Sequence, residues 1–199
     1  MKSNRFVSAL VCMLVAALLV ACSNTHTVGE QCPSVLGLSK EESCEVLGVK
    51  QEELNEVAKG TYNTSLKAEL AGQTFDVSLG FNTLSEEQEL LSIIYRLSFA
   101  DLSDDTVQAV DAIVATLGEQ FGEPTRHNDF KGKDKIIPTG YTTWDLTDTV
   151  SKELSAYLKQ LEEEYGGPAY YEVNPQIGQP DGHGEVTIEY RIGVIPSKK

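Results

Sequence analysis

The chain has 199 residues, with 16 Lys and Arg set against 30 Asp and Glu, a formal net charge of −14. Such a surface repels phosphate backbones and anionic lipid, so nucleic-acid binding and electrostatic adhesion to membranes are excluded as principal functions. A strongly acidic surface also serves simple solubility, and by itself it does not name a cationic partner.

Lys2 and Arg5 open the chain, and Phe6 to Val20 is an apolar run of 15 residues broken only by Ser8. A basic start, an apolar stretch and a small residue at its end are the features of a secretory signal. The run falls short of the roughly 20 apolar residues that a membrane-spanning helix needs. Ser23, Asn24, Thr25 and His26 follow at once, so the run is not extended. Residues 1–21 therefore read as a signal peptide. Its removal takes away Lys2 and Arg5 but no acid (16 − 2 = 14 against 30), leaving 178 residues with a charge of −16. That length supports one well-cored domain.

The four residues Leu19-Val20-Ala21-Cys22 close the signal and resemble the lipobox of bacterial lipoproteins. The resemblance implies lipidation of Cys22 with diacylglycerol and a further acyl chain such as palmitate. It also implies attachment to a lipid bilayer without crossing it, because two or more chains make a stable anchor. An ordinary secretion signal with a cysteine at its cut is the other reading. In Gram-negative lipoproteins aspartate after the cysteine favours inner-membrane retention. Ser23 thus implies the outer membrane, facing the periplasm, and in a Gram-positive cell the protein would face outward from the cell membrane.

Cys12 leaves with the signal and Cys22 carries the lipid, so Cys32 and Cys44 remain as a pair in an oxidising compartment. A Cys32–Cys44 disulfide is the expected outcome, closing a short loop worth on the order of 3 kcal/mol in the chain-entropy model. Two thiols and the distant His26 do not make a closed zinc site.

Residues 22–35 read as a lipidated tether, polar and poor in apolar side chains, and residues 36–199 as a single α+β domain. Ser39 with Glu42 three residues on forms a capping box, opening a short helix that stops at Gly48. Lys50 to Lys59 is expected as a second short helix with Leu54 and Val57 inward. Three alternating strands follow. Leu66, Ala68 and Leu70, then Phe75, Val77, Leu79 and Phe81, then Leu91, Ile93, Tyr95, Leu97 and Phe99 form one dry face. Ala71-Gly72-Gln73 turns the first hairpin, and Thr83 to Glu89 is an acidic loop. Thr74, Asp76, Ser78 and Asn82 point to the wet face.

Asp101 to Phe121 covers the dry face as an amphipathic helix capped by Ser103, with Val107, Val110, Ile113, Val114, Leu117 and Phe121 at helical spacing. Gly122 and Pro124 end it. Glu123 to Gly140 shows no period and is expected as a long loop, a feature often functional in compact domains. Tyr141 to Leu146 is a strand with Trp144 inward. Val150 to Tyr165 is a helix with Leu154, Tyr157, Leu158, Leu161 and Tyr165 on one side. Ala169 to Val173 and Val186 to Val194 form the last hairpin. The expected fold class is α+β, an antiparallel sheet with helices packed on one face, in the order α-α-β-β-β-α-β-α-β-β. Phe121-Gly122-Glu123-Pro124 echoes Tyr165-Gly166-Gly167-Pro168, which fits either an internal repeat or shared helix-stop chemistry.

No nucleophile elbow, Ser-x-x-Lys constellation or His-Glu-x-x-His pair is present, and no catalytic residue, metal site or cofactor is assigned. Asp181-Gly182-His183-Gly184-Glu185 offers three possible ligands in five residues, but a Gly-rich hairpin loop accounts for it. The candidate partner-binding residues are Arg126, His127, Phe130, Lys131, Lys133, Lys135, Ile136 and Ile137, where cations and apolar side chains interrupt an acidic body.

Gly37-Leu38-Ser39-Lys40-Glu41-Glu42, then Leu47-Gly48, then the meander resemble small lipoproteins of the outer-membrane-protein assembly machinery and the related beta-lactamase-inhibitor fold, over residues 36–99. The resemblance implies short helices packed on a meander and a role in binding proteins. The expected function is a non-enzymatic cell-envelope module that binds a protein or assembly partner. The alternative is a periplasmic small-ligand receptor or enzyme whose site is assembled from distant residues.

Overall fold

The computed structural model describes residues 25–101, 103–131, 136–178 and 183–195. The signal peptide, Cys22, Ser23, Lys133, Lys135, Asp181 and Gly182 lie outside the described residues, as do the side chains at 127–141.

The fold is mixed α+β, with four helices and nine strands among the described residues. In chain order these are β1 (Thr25–Thr27), α1 (Cys32–Val35), α2 (Lys40–Leu47), β2 (Asn55–Ala58), β3 (Thr61–Leu70), β4 (Gln73–Phe81) and β5 (Leu90–Phe99). Then come α3 (Asp104–Phe121), β6 (Arg126–Lys131), β7 (Ile136–Asp145), α4 (Lys152–Tyr165), β8 (Ala169–Gly178) and β9 (Gly184–Val194). One curled sheet runs β1-β3-β4-β5-β9-β8-β7-β6, with β2 also on β3. Only the β1–β3 pair is parallel.

The period-two pattern decides which face is dry. Leu66, Ala68 and Leu70, Phe75, Val77, Leu79 and Phe81, Ile93 and Tyr95, and Val186, Ile188, Tyr190 and Ile192 are all buried. Leu70 pairs with Gln73 across Ala71 (φ 50°) and Gly72 (φ 74°). Two successive left-handed residues make this a two-residue hairpin turn. Helix α2 begins with the expected capping box. Ser39 Oγ accepts from the Glu42 amide at 3.3 Å, and Glu42 Oε2 accepts from the Ser39 amide at 3.2 Å. Ser103 caps α3 and Ser151 caps α4, each accepting from the amide three residues on.

The core has an aromatic spine. Tyr95 on β5 meets Tyr190 on β9 edge-to-face at 5.8 Å, Tyr190 meets Phe121 of α3 at 6.3 Å, and Phe121 meets Trp144 on β7 at 6.1 Å. Trp144 Nε1–H donates to the Gly122 carbonyl at 2.8 Å, tying β7 to the last turn of α3. Helix α4 contacts β8 and β9. The chain approaches closely at two glycines. Gly29 (φ +80°) has room for no Cβ, which would lie 2.2 Å from Tyr190 Oη, and Gly37 (φ +86°) would place one 2.7 Å from the Tyr157 ring.

Several expectations are corrected. Residues 25–35 are not a tether: Thr25–Thr27 pair with Lys67–Glu69, and Val28, Cys32 and Val35 are fully buried. Composition concealed this because a short strand is held by its backbone and only three of its neighbours are apolar. Lys50–Lys59 is not a helix. Gln51–Glu53 is a single 3₁₀ turn, and Asn55–Ala58 pairs antiparallel with β3. Two apolar residues make no helical stripe, whereas the edge of β3 offers unpaired backbone groups. The stretch from Glu123 to Gly140 is not a structureless loop: its described residues include β6 (Arg126–Lys131) and the start of β7 from Ile136, paired antiparallel. The last hairpin is longer than expected, with β8 running on to Gly178 and β9 beginning at Gly184. The expected element order therefore holds only in part.

The Cys32–Cys44 disulfide is not formed, and both residues are buried free thiols. Cys32 Sγ turns into the core and lies 3.3 Å from Tyr95 Oη, a contact that takes the sulfur into the tyrosine cluster. Ser78, assigned to the wet face, is also buried, because its hydroxyl donates to Asn63 Oδ1 at 2.8 Å and receives Arg96 Nη1 at 3.3 Å.

Candidate functional site: a free sheet edge and the polar face beside it

Of the eight residues singled out between 126 and 137, six fall on one hairpin. Arg126, His127, Phe130 and Lys131 lie on β6, and Ile136 and Ile137 open β7. Phe130 pairs with Ile137 and Lys131 with Ile136, with a bulge between Asn128 and Phe130. Lys133 and Lys135 lie outside the described residues. The base of the hairpin is fixed by the Thr125 amide donating to the Thr143 carbonyl at 2.8 Å and the Asp145 amide donating to Thr125 Oγ1 at 3.0 Å. Strand β6 ends the strand order on one side, and no described strand lies beyond it; β1 ends the other side. An edge strand presents a row of unpaired N–H and C=O groups, the chemistry by which an extended segment of another protein adds to a sheet. Charged residues along such an edge also discourage indiscriminate pairing.

Polar and charged side chains also pair across other strands of the sheet. Arg191 Nε donates to Glu172 Oε1 at 2.7 Å, and Arg191 Nη1 lies 3.6 Å from Glu189 Oε2. Burial works against the Arg191 charge, but the hydrogen bond and charge of Glu172 outweigh it and hold the guanidinium pKa above its ordinary value. Lys67 pairs with Asp76 across β3 and β4. Asn174, fully buried, donates from Nδ2 to Thr143 Oγ1 at 3.4 Å beside the start of β6, since Thr143 pairs with Arg126. Of these cross-strand pairs, Asn174–Thr143 ties β8 to β7 next to the edge and Arg191–Glu172 ties β9 to β8, whereas Lys67–Asp76 lies toward the opposite end of the sheet. Sequence reasoning missed the Arg191–Glu172–Glu189 group. Arg191 and Glu189 show the two-residue spacing of one strand face, but only the β8–β9 register brings Glu172 opposite Arg191.

The thiols and phenols buried among the described residues are held in their protonated forms. Burial pushes the Cys32 thiol up to about 12 and raises Cys44, and it raises the phenols of Tyr95, Tyr171 and Tyr190 as well. A thiol held protonated is a poor nucleophile. No group of three His, Cys, Asp or Glu side chains among the described residues is placed to hold a metal ion. Of the 181–185 segment, His183 Nδ1 lies 3.1 Å from the Ala100 carbonyl, and Glu185 belongs to β9. Among the described residues no helix is long and apolar enough to cross a membrane.

No protein-family model, curated protein or solved structure matches this chain.

Proposed function

We propose that this chain is a non-enzymatic lipoprotein of the bacterial cell envelope, anchored by acylated Cys22, that binds a protein partner by strand addition along β6. The observation that carries the reading is the position of Arg126–Lys131. The stretch whose cations and apolar residues interrupt an acidic chain begins on a terminal strand of the sheet, which carries Arg126, His127, Phe130 and Lys131. The lipobox-like Leu19-Val20-Ala21-Cys22 supports the anchor, and Ser23 supports an outer-membrane location facing the periplasm in a Gram-negative cell.

The anchor and the edge are tested separately. Metabolic labelling with palmitate is expected to mark the wild type and not Cys22→Ser, which should move to the soluble fraction; an unlabelled wild type rejects the anchor. Asn128→Pro removes one β6 amide and is expected to release the protein from its complex on native gels of membrane extracts. An unchanged complex in a variant that melts like the wild type rejects strand addition.

A further inference from the structure

A second surface has the chemistry of a binding site and owes nothing to β6. Among the described residues only five large hydrophobic side chains are exposed, and two of them share one groove: Leu84 (82% exposed) and Tyr165 (43%). Leu84 and Tyr165 line a groove of about 320 Å³ floored by Leu91, Leu161 and Val194. Four separate parts of the chain meet there: the loop after β4, the start of β5, the last turn of α4 and the end of β9. Helical spacing places Tyr165 on the buried side of α4, yet the groove leaves it open to solvent. At this size the groove lies at the low end for ligand pockets and suits one or two side chains of a peptide rather than a large cofactor.

Its rim is acidic. Glu86, Glu87 and Glu89 lie in the loop that carries Leu84, and Glu162, Glu163 and Glu164 immediately precede Tyr165. Neither 83–90 nor 160–169 contains a lysine or arginine, and Lys40, whose amide donates to the Glu87 carbonyl at 3.3 Å, holds its ammonium over the Tyr62 ring, 3.8 Å from the centroid. Glu89 is held at the groove, where Oε2 accepts from Asn82 Nδ2 at 3.2 Å and from Ser85 Oγ, and Asn82 is itself a lining residue. The pKa of the Tyr165 hydroxyl is raised, chiefly by its interaction with the Glu164 carboxylate beside it. The nearest lysine on α4, Lys159, lies a turn and a half back along the helix. The nearby guanidinium, Arg191, is engaged by Glu172.

We infer that this groove binds a segment of a partner protein in which a leucine- or phenylalanine-type side chain is flanked by lysine or arginine. The apolar floor takes the side chain, and the glutamates take the cations, a charge match the overall −14 reinforces. The inference rests on the reading of the chain as a protein-binding module but requires neither the anchor nor β6.

The test uses the full-length protein in neutral phosphatidylcholine vesicles and fluorescein-labelled, end-blocked hexapeptides followed by anisotropy. GKLFKG is expected to bind saturably and about tenfold or more tighter than GELFEG or GKSSKG. Leu84→Ser and Tyr165→Ala are each expected to weaken it about fivefold or more without a change in melting temperature, because both side chains are exposed. The double variant Glu89→Gln with Glu164→Gln is expected to weaken GKLFKG and flatten its salt dependence. Asn128→Pro is expected to leave peptide binding unchanged. Absence of saturable binding, equal binding of GELFEG, or insensitivity to the groove variants overturns the inference. Displacement of GKLFKG by dodecanoate with no preference among the peptides also overturns it and makes the occupant a lipid chain. A groove failure with the native complex intact leaves the β6 reading standing.

Discussion

Two tyrosines whose rings touch make opposite demands on their hydroxyls. Tyr95 Oη accepts the Gly29 amide at 3.1 Å and lies 3.3 Å from Cys32 Sγ, whereas buried Tyr190 Oη has no hydrogen-bond partner among the described residues. Tyr95→Phe keeps the edge-to-face ring contact but strands a buried amide, which costs about 1–3 kcal/mol. Tyr190→Phe removes a hydroxyl that is desolvated without compensation, so it is expected to be neutral or stabilising by about 1 kcal/mol or more. In a domain of this size each kcal/mol moves the midpoint by about 2–4 °C. Thermal melts and urea titrations followed by circular dichroism, with equal m-values as the check on the unfolded state, measure both. The reasoning is refuted if Tyr190→Phe loses as much stability as Tyr95→Phe, for then the Tyr190 hydroxyl is satisfied and the polar order of the core is different.

Gly37→Ala is expected to cost about 2–4 kcal/mol, combining the left-handed backbone with overpacking against Tyr157, while a loss below about 1 kcal/mol would show that the helices separate there without penalty. Stability is also expected to fall at alkaline pH. The Cys32 thiol has a folded pKa of about 12 against an ordinary 9, so between these values the unfolded chain gives up its proton first. The contribution is absent below pH 9 and grows by up to about 1.4 kcal/mol per pH unit above it. Cys32→Ala should reduce that slope in urea titrations at stepped pH, and an unchanged slope contradicts the burial of the thiol.

Much of the architecture is legible in the sequence. The apolar alternation of β3, β4, β5 and β9 and the helical stripes of α3 and α4 are strong because each element buries a whole face. Strands held chiefly by backbone pairing are not legible. Thr25–Thr27, Asn55–Ala58 and Arg126–Lys131 lack an apolar period, and each becomes a strand because a neighbouring strand supplies its hydrogen bonds. Buried polar side chains are equally hidden. Ser78 and Asn174 are indistinguishable from wet-face residues until Asn63 and Thr143 are brought beside them. The residues of the candidate site stand out by composition, but that they line a sheet edge depends on strand order. The groove around Tyr165 is invisible in sequence because its floor comes from β5, α4 and β9 together.

The most direct measurement of the central proposal is photo-crosslinking in living cells from a benzophenone amino acid at Phe130, with exposed Ser65 on β3 as the control position. Strand addition along β6 predicts a discrete protein adduct from position 130, none from position 65, and loss of the adduct on introducing Asn128→Pro. Adducts of equal yield from both positions, or none from position 130, would contradict partner binding at this edge.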